Sequence, residues 1–329
     1  VSFYMAAIPV LDVQGLKTYF FTRSGVVKAV DGVSFTLMPG ETLGIVGESG
    51  SGKSMTALSL MQLVPQPAGR IVEGRILFQG EDLVQKSQSE MQEIRGRDIC
   101  MILQDPMTSL NPVFTIGNQL VETVRQNKEP HQASLMDRAI ELLQKVKIPS
   151  PEIRMSNYPH QMSGGMRQRV VGSIAIAGAP KVLIADEATT SLDATIQYQY
   201  LALLKELQAE TGMSIIFITH DFGIVAKMCD RVAVMYAGRV AENSDVRELF
   251  NNPAHPYTEA LMRSVPNVDE EVDYLYSIEG QPPALDDLPP GCTFAPRCPH
   301  VFDRCNEAFP DLVHVGEGHS ATCWKLAGK

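Results

Sequence analysis

Glu41-Thr-Leu-Gly-Ile-Val-Gly47-Glu-Ser-Gly-Ser-Gly52-Lys53-Ser54 is the stretch from which the rest of the chain can be read. Its apolar run, Leu43 to Val46, predicts a buried strand, and Met55 to Leu63 has helical character. Between them stands the pattern G-x-x-x-x-G-K-S. Glycines let a backbone wrap closely around phosphate oxygens, so that N–H groups and the following helix N-terminus point at the anion. Gly47, Ser49, Gly50, Ser51 and Gly52 are the candidate cradle. Lys53 can reach the β- and γ-phosphates, and the Ser54 hydroxyl can join a Mg²⁺ shell. The bland alternative is a Gly/Ser turn. Strand, Lys-Ser pair and helix together predict a nucleoside-triphosphate site.

The surrounding 329 residues suffice for one large core plus an appendage. Hydrophobic residues make up 44% and charged residues 20%, the balance of a globular chain rather than a disordered one. A net charge of −10 argues against a broad nucleic-acid surface. No apolar run approaches the ~18 residues of a membrane span. Val1 to Leu11 is apolar but lacks a basic segment and ends at Asp12, so it does not read as a signal peptide. Any membrane contact is therefore expected through a partner.

Residues 10–37 read as two strands around a turn at Arg23-Ser24-Gly25. Tyr19-Phe20-Phe21 could serve the core or offer a flat surface to a base, and periodicity alone favours the core. Strands are predicted over 71–78 and 98–103, the second ending at Gln104. The polar, proline-bounded loop Gln104 to Pro112 follows, well placed to touch a ligand and to move. A helical pattern runs from Ile116 to about Lys147, with polar connectors such as Asn127 to His131. Ser163 is a natural N-cap, and Gly164 and Gly165 expose N–H groups at the start of the next helix, although Ser-Gly-Gly alone is a common turn.

Lys181 to Glu187 holds four consecutive apolar residues, Val182 to Ala185, ending in two carboxylates, where open α/β sheets bind ligands. Downstream of a phosphate loop, Asp186 is the candidate to hold Mg²⁺ through its water shell and Glu187 to orient and polarise an attacking water. A further buried strand, Ser214 to Thr219, ends at His220, which could reach a γ-phosphate or be a solvated turn residue. Two strands (231–236 and 239–242) and a short helix (246–250) follow. After about residue 253 prolines accumulate and periodicity fades. This predicts an irregular appendage, with one helix near Tyr257 to Val265, that needs something else to hold it together.

These pieces in this order resemble the nucleotide-binding subunits of ABC transporters: Gly47–Ser54 (Walker A), Gln104 (Q-loop), Ser163 to Arg169 (signature), Leu183–Glu187 (Walker B), Ser191-Leu-Asp193 (D-loop) and His220 (switch histidine). The resemblance implies an α/β fold, a P-loop ABC ATPase with a RecA-like core, an antiparallel β subdomain and a helical subdomain. It covers roughly residues 10–250, and the expected division is 1–252 as ATP-binding domain with 253–329 as a small, peptide-importer-type C-terminal domain. It gives Phe20 the adenine-stacking position, adds Gln104 to Ser54 and Asp186 as Mg²⁺ ligands, and assigns Ser163, Gly164, Gly165 and Asp193 to nucleotide contact. Gln104 to Pro112, His255-Pro-Tyr-Thr258 and Leu288 to Pro299 look like the oligopeptide/dipeptide/nickel importer ATPases. Three departures are modest: Met162 for the usual Leu, Ser191 for the usual Ala, and Ala188 for the Pro that typically follows the catalytic Glu.

The family implies that one subunit's Walker A and its partner's signature helix grip the same ATP, and that hydrolysis opens the pair. Expected partners are a second ATPase subunit (a heterodimer rather than a homodimer), two transmembrane permease subunits and an extracytoplasmic substrate-binding protein, with no nucleic acid. The expected place is the cytoplasmic face of the membrane. The competing readings are a nickel or metal-chelate importer ATPase and, from another class, a DNA-maintenance ABC ATPase. Against the latter stand the acidic balance and the lack of C-x-x-C pairs.

Cys100 and Cys229 stand alone, whereas Cys292, Cys298, Cys305 and Cys323 are spaced C-x5-C-x6-C-x17-C. Zinc knuckles favour C-x2–4-C. Wide spacing in an irregular tail, together with the resemblance, leads to the expectation of one [4Fe–4S] cluster on these four, with zinc or simple reduced thiols as the alternatives.

Overall fold

The structure is a computed structural model that describes residues 8–127, 134–265 and 276–327. Most of the Val1–Leu11 segment and the connector after Asn127 lie outside the described residues. Among the described residues twelve strands are named in chain order. They are β1 (Leu11–Phe21), β2 (Val26–Leu37), β3 (Thr42–Val46), β4 (Gly69–Phe78), β5 (Glu81–Asp82) and β6 (Ile99–Ile102). Then come β7 (Val182–Asp186), β8 (Ser214–Thr219), β9 (Arg231–Tyr236), β10 (Arg239–Asp245), β11 (Val313–Gly316) and β12 (His319–Ala321). Two compact units result, one of Val1–Leu37, Thr42–Gln85 and Thr219–Lys329, the other of Met38–Glu41 and Lys86–Ile218.

In the first unit an antiparallel sheet runs β2-β1-β4-β5. Leu11, Val13, Leu16 and Thr18 of β1 all face inward. Strict alternation would break between 13 and 16, and a register shift there restores it. Elsewhere in this unit strands follow the order β11-β12-β10-β9-β3. β3 is buried along its whole length and pairs in parallel with β9, Leu43 opposite Arg231 and Val46 opposite Val234. A parallel strand covered on both faces accounts for its unbroken apolar sequence.

The second unit carries β8-β7-β6, a parallel set with Val182 opposite both Ile99 and Ser214. The helical stretch after Ile116 is two helices, Ile116–Gln126 and Leu135–Lys145. Thr115 and Ser134 cap them, accepting the N–H of Asn118 and Asp137. The first helix buries Ile116, Leu120 and Val124, one stripe at four-residue spacing. The helix Ala194–Thr211 starts on the Asp193 carboxylate, which accepts the Ile196 N–H at 3.0 Å.

The C-terminal segment is more ordered than its sequence suggests. β12 adds to the edge of β10, with Glu242 opposite Ala321, and β11 pairs with β12. Glu242 is wholly buried, and its carboxylate accepts the N–H groups of Ala254 at 2.7 Å and His255 at 2.9 Å. His319 Nε2 lies 2.7 Å from the same carboxylate. A buried carboxylate with that many partners is fixed, and it fixes them. Tyr236, Tyr257 and Phe294 pack around one another with centroids 4.5–5.3 Å apart.

His255 is buried beside this network, and its Nδ1 accepts the Tyr257 N–H at 3.0 Å. Burial pushes its pKa down to about 4. The unfolded chain takes up this proton near pH 6.5 and the folded chain does not, so stability falls as the pH drops from about 6.5 towards 4, by up to about 3 kcal/mol. Urea unfolding at stepped pH should show the loss in the parent chain. His255→Asn, which keeps an acceptor at the start of the helix Pro256–Arg263, should flatten it; an equal slope in both would refute this assignment.

Candidate functional site

β3 delivers its last residue, Val46, into the phosphate loop, and the helix Lys53–Leu60 leaves it. Gly47, Gly50 and Gly52 have φ of +152°, +79° and +101°. Side chains are excluded at two of the three: a Cβ on Gly47 would lie 2.2 Å from the Met235 carbonyl oxygen, and one on Gly52 2.4 Å from that of Ala29. Lys53 is only 5% exposed, and its Nζ donates to the carbonyls of Gly47 at 2.7 Å and Glu48 at 2.9 Å. Ser51 is pinned where its carbonyl accepts the Gly238 N–H at 2.9 Å. The loop is a tight ring around an ammonium, with Ser49 on its rim and Ser54 in the first turn of the helix. Such a ring fits a polyphosphate, whose charge the ammonium and the helix N-terminus complement.

The three aromatics of β1 part ways. The Tyr19 hydroxyl donates to Asp31 at 2.5 Å, and Arg239 holds the other oxygen of that carboxylate at 2.6 Å. The Arg70 guanidinium lies 4.2 Å from the Phe21 ring centre. Phe20 is half-buried against Gly69, where any side chain would collide with its ring.

In the second unit β7 ends at Asp186, 7% exposed, and the next residue, Glu187, turns into the left-handed region at φ +47°. Its N–H donates to the Ile218 carbonyl at 3.0 Å. Gln104 Nε2 donates to its carboxylate at 2.8 Å, so the structure brings these two predicted residues together. A non-glycine residue held at positive φ stores strain of about 1–3 kcal/mol, which here fixes the direction of a carboxylate. Ala188, the residue where the family usually has Pro, is fully buried.

Ser163 caps the helix Gly164–Ile176 by accepting the Met166 N–H. Ser163, Gly164, Gly165 and Asp193 line one open cavity of about 660 Å³, with Lys147 and Arg169 on its wall. The structure therefore gathers the signature and D-loop residues on a single concave face. His220 follows β8 directly and is exposed.

The expectation of a [4Fe–4S] cluster or zinc is corrected. Cys292, Cys298, Cys305 and Cys323 line one small apolar pocket with Phe294, Phe302 and Trp324, yet among the described residues no group of three or more His, Cys, Asp or Glu is arranged to hold a metal ion. Burial pushes the Cys292 thiol up to about 11 and also raises those of Cys298 and Cys323. The order that a cluster was invoked to supply comes from β12, the Glu242 carboxylate and the aromatic group.

Two residues of this site escaped the sequence reading. The Tyr257 hydroxyl accepts the Glu48 N–H at 2.9 Å, and Arg297 grips the Glu48 carboxylate through two nitrogens, at 2.7 and 3.0 Å. The available signal was the carboxylate itself: an acidic residue inside an anion cradle calls for a cation to cover it.

A family model described as ABC transporter matches residues 30–190, and one described as oligopeptide/dipeptide transporter, C-terminal region, matches 241–305. The chain is similar to the probable peptide ABC transporter ATP-binding protein y4tR of Sinorhizobium fredii, 48% identical over 96% of this chain and 94% of that protein. It is 49% identical to the oligopeptide transport ATP-binding protein AppD of Bacillus subtilis over 95% of this chain and 96% of that one. Among solved structures, cbiO1 from Clostridium perfringens, part of the ABC transporter complex cbiONQ, has a TM-score of 0.63 and 28% identity, covering 74% of this chain and 91% of that one.

Proposed function

This chain belongs to the ATP-binding subunits of ABC transporters, and from that premise we propose that the transport it powers is the import of di- or oligopeptides. It is an ATPase whose hydrolysis is coupled to transport. The observation that carries the peptide reading is the match of residues 241–305 to the oligopeptide/dipeptide C-terminal region, joined to near-full-length likeness to peptide transport subunits.

In the proposed mechanism the loop Gly47–Gly52 and Lys53 bind the β- and γ-phosphates, and Phe20 stacks on adenine. Ser54, Gln104 and Asp186 have the oxygen donors that suit Mg²⁺, which neutralises phosphate charge when bound. Glu187, steered by Gln104, takes a proton from the attacking water, and His220 contacts the γ-phosphate. The face formed by Ser163, Gly164, Gly165 and Asp193 serves the nucleotide of a second ATPase subunit, in a heterodimer. The division at 252, with the ATP-binding domain before it, is part of the same proposal.

No described helix is long and apolar enough to cross a membrane. The proposal, supported by the likeness to peptide transport subunits, is that two permease subunits provide the passage, an extracytoplasmic binding protein delivers the substrate, and this subunit sits on the cytoplasmic face. The test is uptake of radiolabelled di- and tetrapeptides by a strain from which the gene for this chain has been deleted, with and without the chain restored. Peptide uptake that requires the chain is expected. Uptake of a nickel chelate in place of peptides would overturn the substrate assignment.

A further inference from the structure

Glu48 is the single acidic residue between Gly47 and Ser54. Every polar group it carries is engaged: its N–H by the Tyr257 hydroxyl, its carbonyl by Lys53 Nζ, its carboxylate by both ends of the Arg297 guanidinium. Arg297, 249 residues away in sequence, has a side chain only 4% exposed. Its other N–H groups donate to the carbonyls of Glu279 at 3.0 Å and Ile278 at 3.3 Å, and one also reaches the Tyr236 hydroxyl at 3.3 Å. The guanidinium is thus fully committed and cannot swing away without leaving buried donors unpaired.

We propose that Arg297 is a positioning residue for ATP: it anchors and neutralises the one carboxylate of the phosphate loop, so that the C-terminal segment sets the affinity of the loop for the triphosphate. The inference rests on the reading of Gly47–Ser54 as the ATP cradle. Two physical effects act together. The bidentate pair fixes the Glu48 peptide, and the carbonyl of that peptide holds Lys53, so Arg297 stands one residue removed from the ammonium that meets the phosphates. Charge acts as well. An unpaired carboxylate in the cradle would repel a polyanion, and the guanidinium cancels it. Neither effect touches the attacking water, so binding is affected and the chemical step is not.

The test is equilibrium binding of Mg²⁺-ATP to the purified full chain, with steady-state hydrolysis by the assembled transporter. Arg297→Ala should raise Kd and KM about tenfold, with kcat changed by less than about twofold. Arg297→Lys, which keeps the charge but not the fork, should fall between. Adding Glu48→Gln to Arg297→Ala removes the exposed charge and should bring Kd back to within about threefold of the parent. A role confined to packing predicts the opposite, a double variant at least as weak as the single one. That result, or parent-like binding by Arg297→Ala, overturns the inference and leaves the ATPase reading standing. A parent chain unable to bind Mg²⁺-ATP overturns the reading, and the inference with it.

Discussion

Glu187→Gln should abolish turnover while sparing ATP binding, with hydrolysis in the assembled transporter falling by about a thousandfold. The geometry explains why the two effects separate. Gln104 Nε2 donates to the Glu187 carboxylate at 2.8 Å, and the amide of the variant keeps a carbonyl oxygen that can accept the same bond. The backbone is held independently, by the N–H of residue 187 on the Ile218 carbonyl. The substituted side chain therefore stays where the carboxylate was and loses only its basicity. Lys53, in the other unit, is untouched, so ATP still binds and the ATP-bound subunit pair accumulates. Gel filtration with Mg²⁺-ATP should show that pair, and single-turnover hydrolysis should show the lost rate. Gln104→Ala should cost less, about tenfold, because the carboxylate remains and only its aim is loosened. Near-parental hydrolysis by Glu187→Gln would exclude Glu187 as the base.

The elements around the nucleotide were legible in the sequence because each couples a local apolar pattern to a polar stop. β3, β7 and β8 are unbroken apolar runs that end at Gly47, Asp186 and the Thr219-His220 step, and each appears within a residue or two of its expected span. What stayed hidden depends on partners distant in sequence. β11 and β12 read as polar, glycine-broken chain, and their strand character comes from the edge of β10. The Arg297–Glu48 pair joins residues whose local contexts do not mention each other. The cysteines show the reverse error. Their spacing invited a metal, but spacing records only that four thiols share a region, and thiols also serve as small apolar side chains. The need for order in the tail was real. It is met by a buried carboxylate and a strand addition, which no spacing rule anticipates.

Gly47→Ala and Gly52→Ala should each destroy ATP binding, whereas Gly50→Ala should only weaken it, and that ranking tests the loop geometry more sharply than the motif does. All three glycines have positive φ, so each substitution carries the left-handed strain of about 1–2 kcal/mol. At Gly50 nothing lies within 4 Å of an added Cβ, so the strain is the whole effect, about a tenfold loss of affinity. At Gly47 the same atom would meet the Met235 carbonyl oxygen at 2.2 Å and Ser51 Oγ at 2.8 Å. At Gly52 it would meet the Ala29 carbonyl oxygen at 2.4 Å. The carbonyls of Met235 and Ala29 belong to β9 and β2, which cannot yield without breaking their own pairing. The loop must move instead, and Lys53 moves with it, because its ammonium is held by the Gly47 and Glu48 carbonyls. A displaced ammonium and misdirected N–H groups forfeit several charge-assisted hydrogen bonds at once, so the expected loss exceeds about a thousandfold. Fluorescent ATP-analogue titration of the three variants, each checked for a parent-like melting transition, reads the ranking directly. Equal losses at all three positions would mean that φ strain alone governs the loop, and the contacts with Met235 and Ala29 would carry no weight.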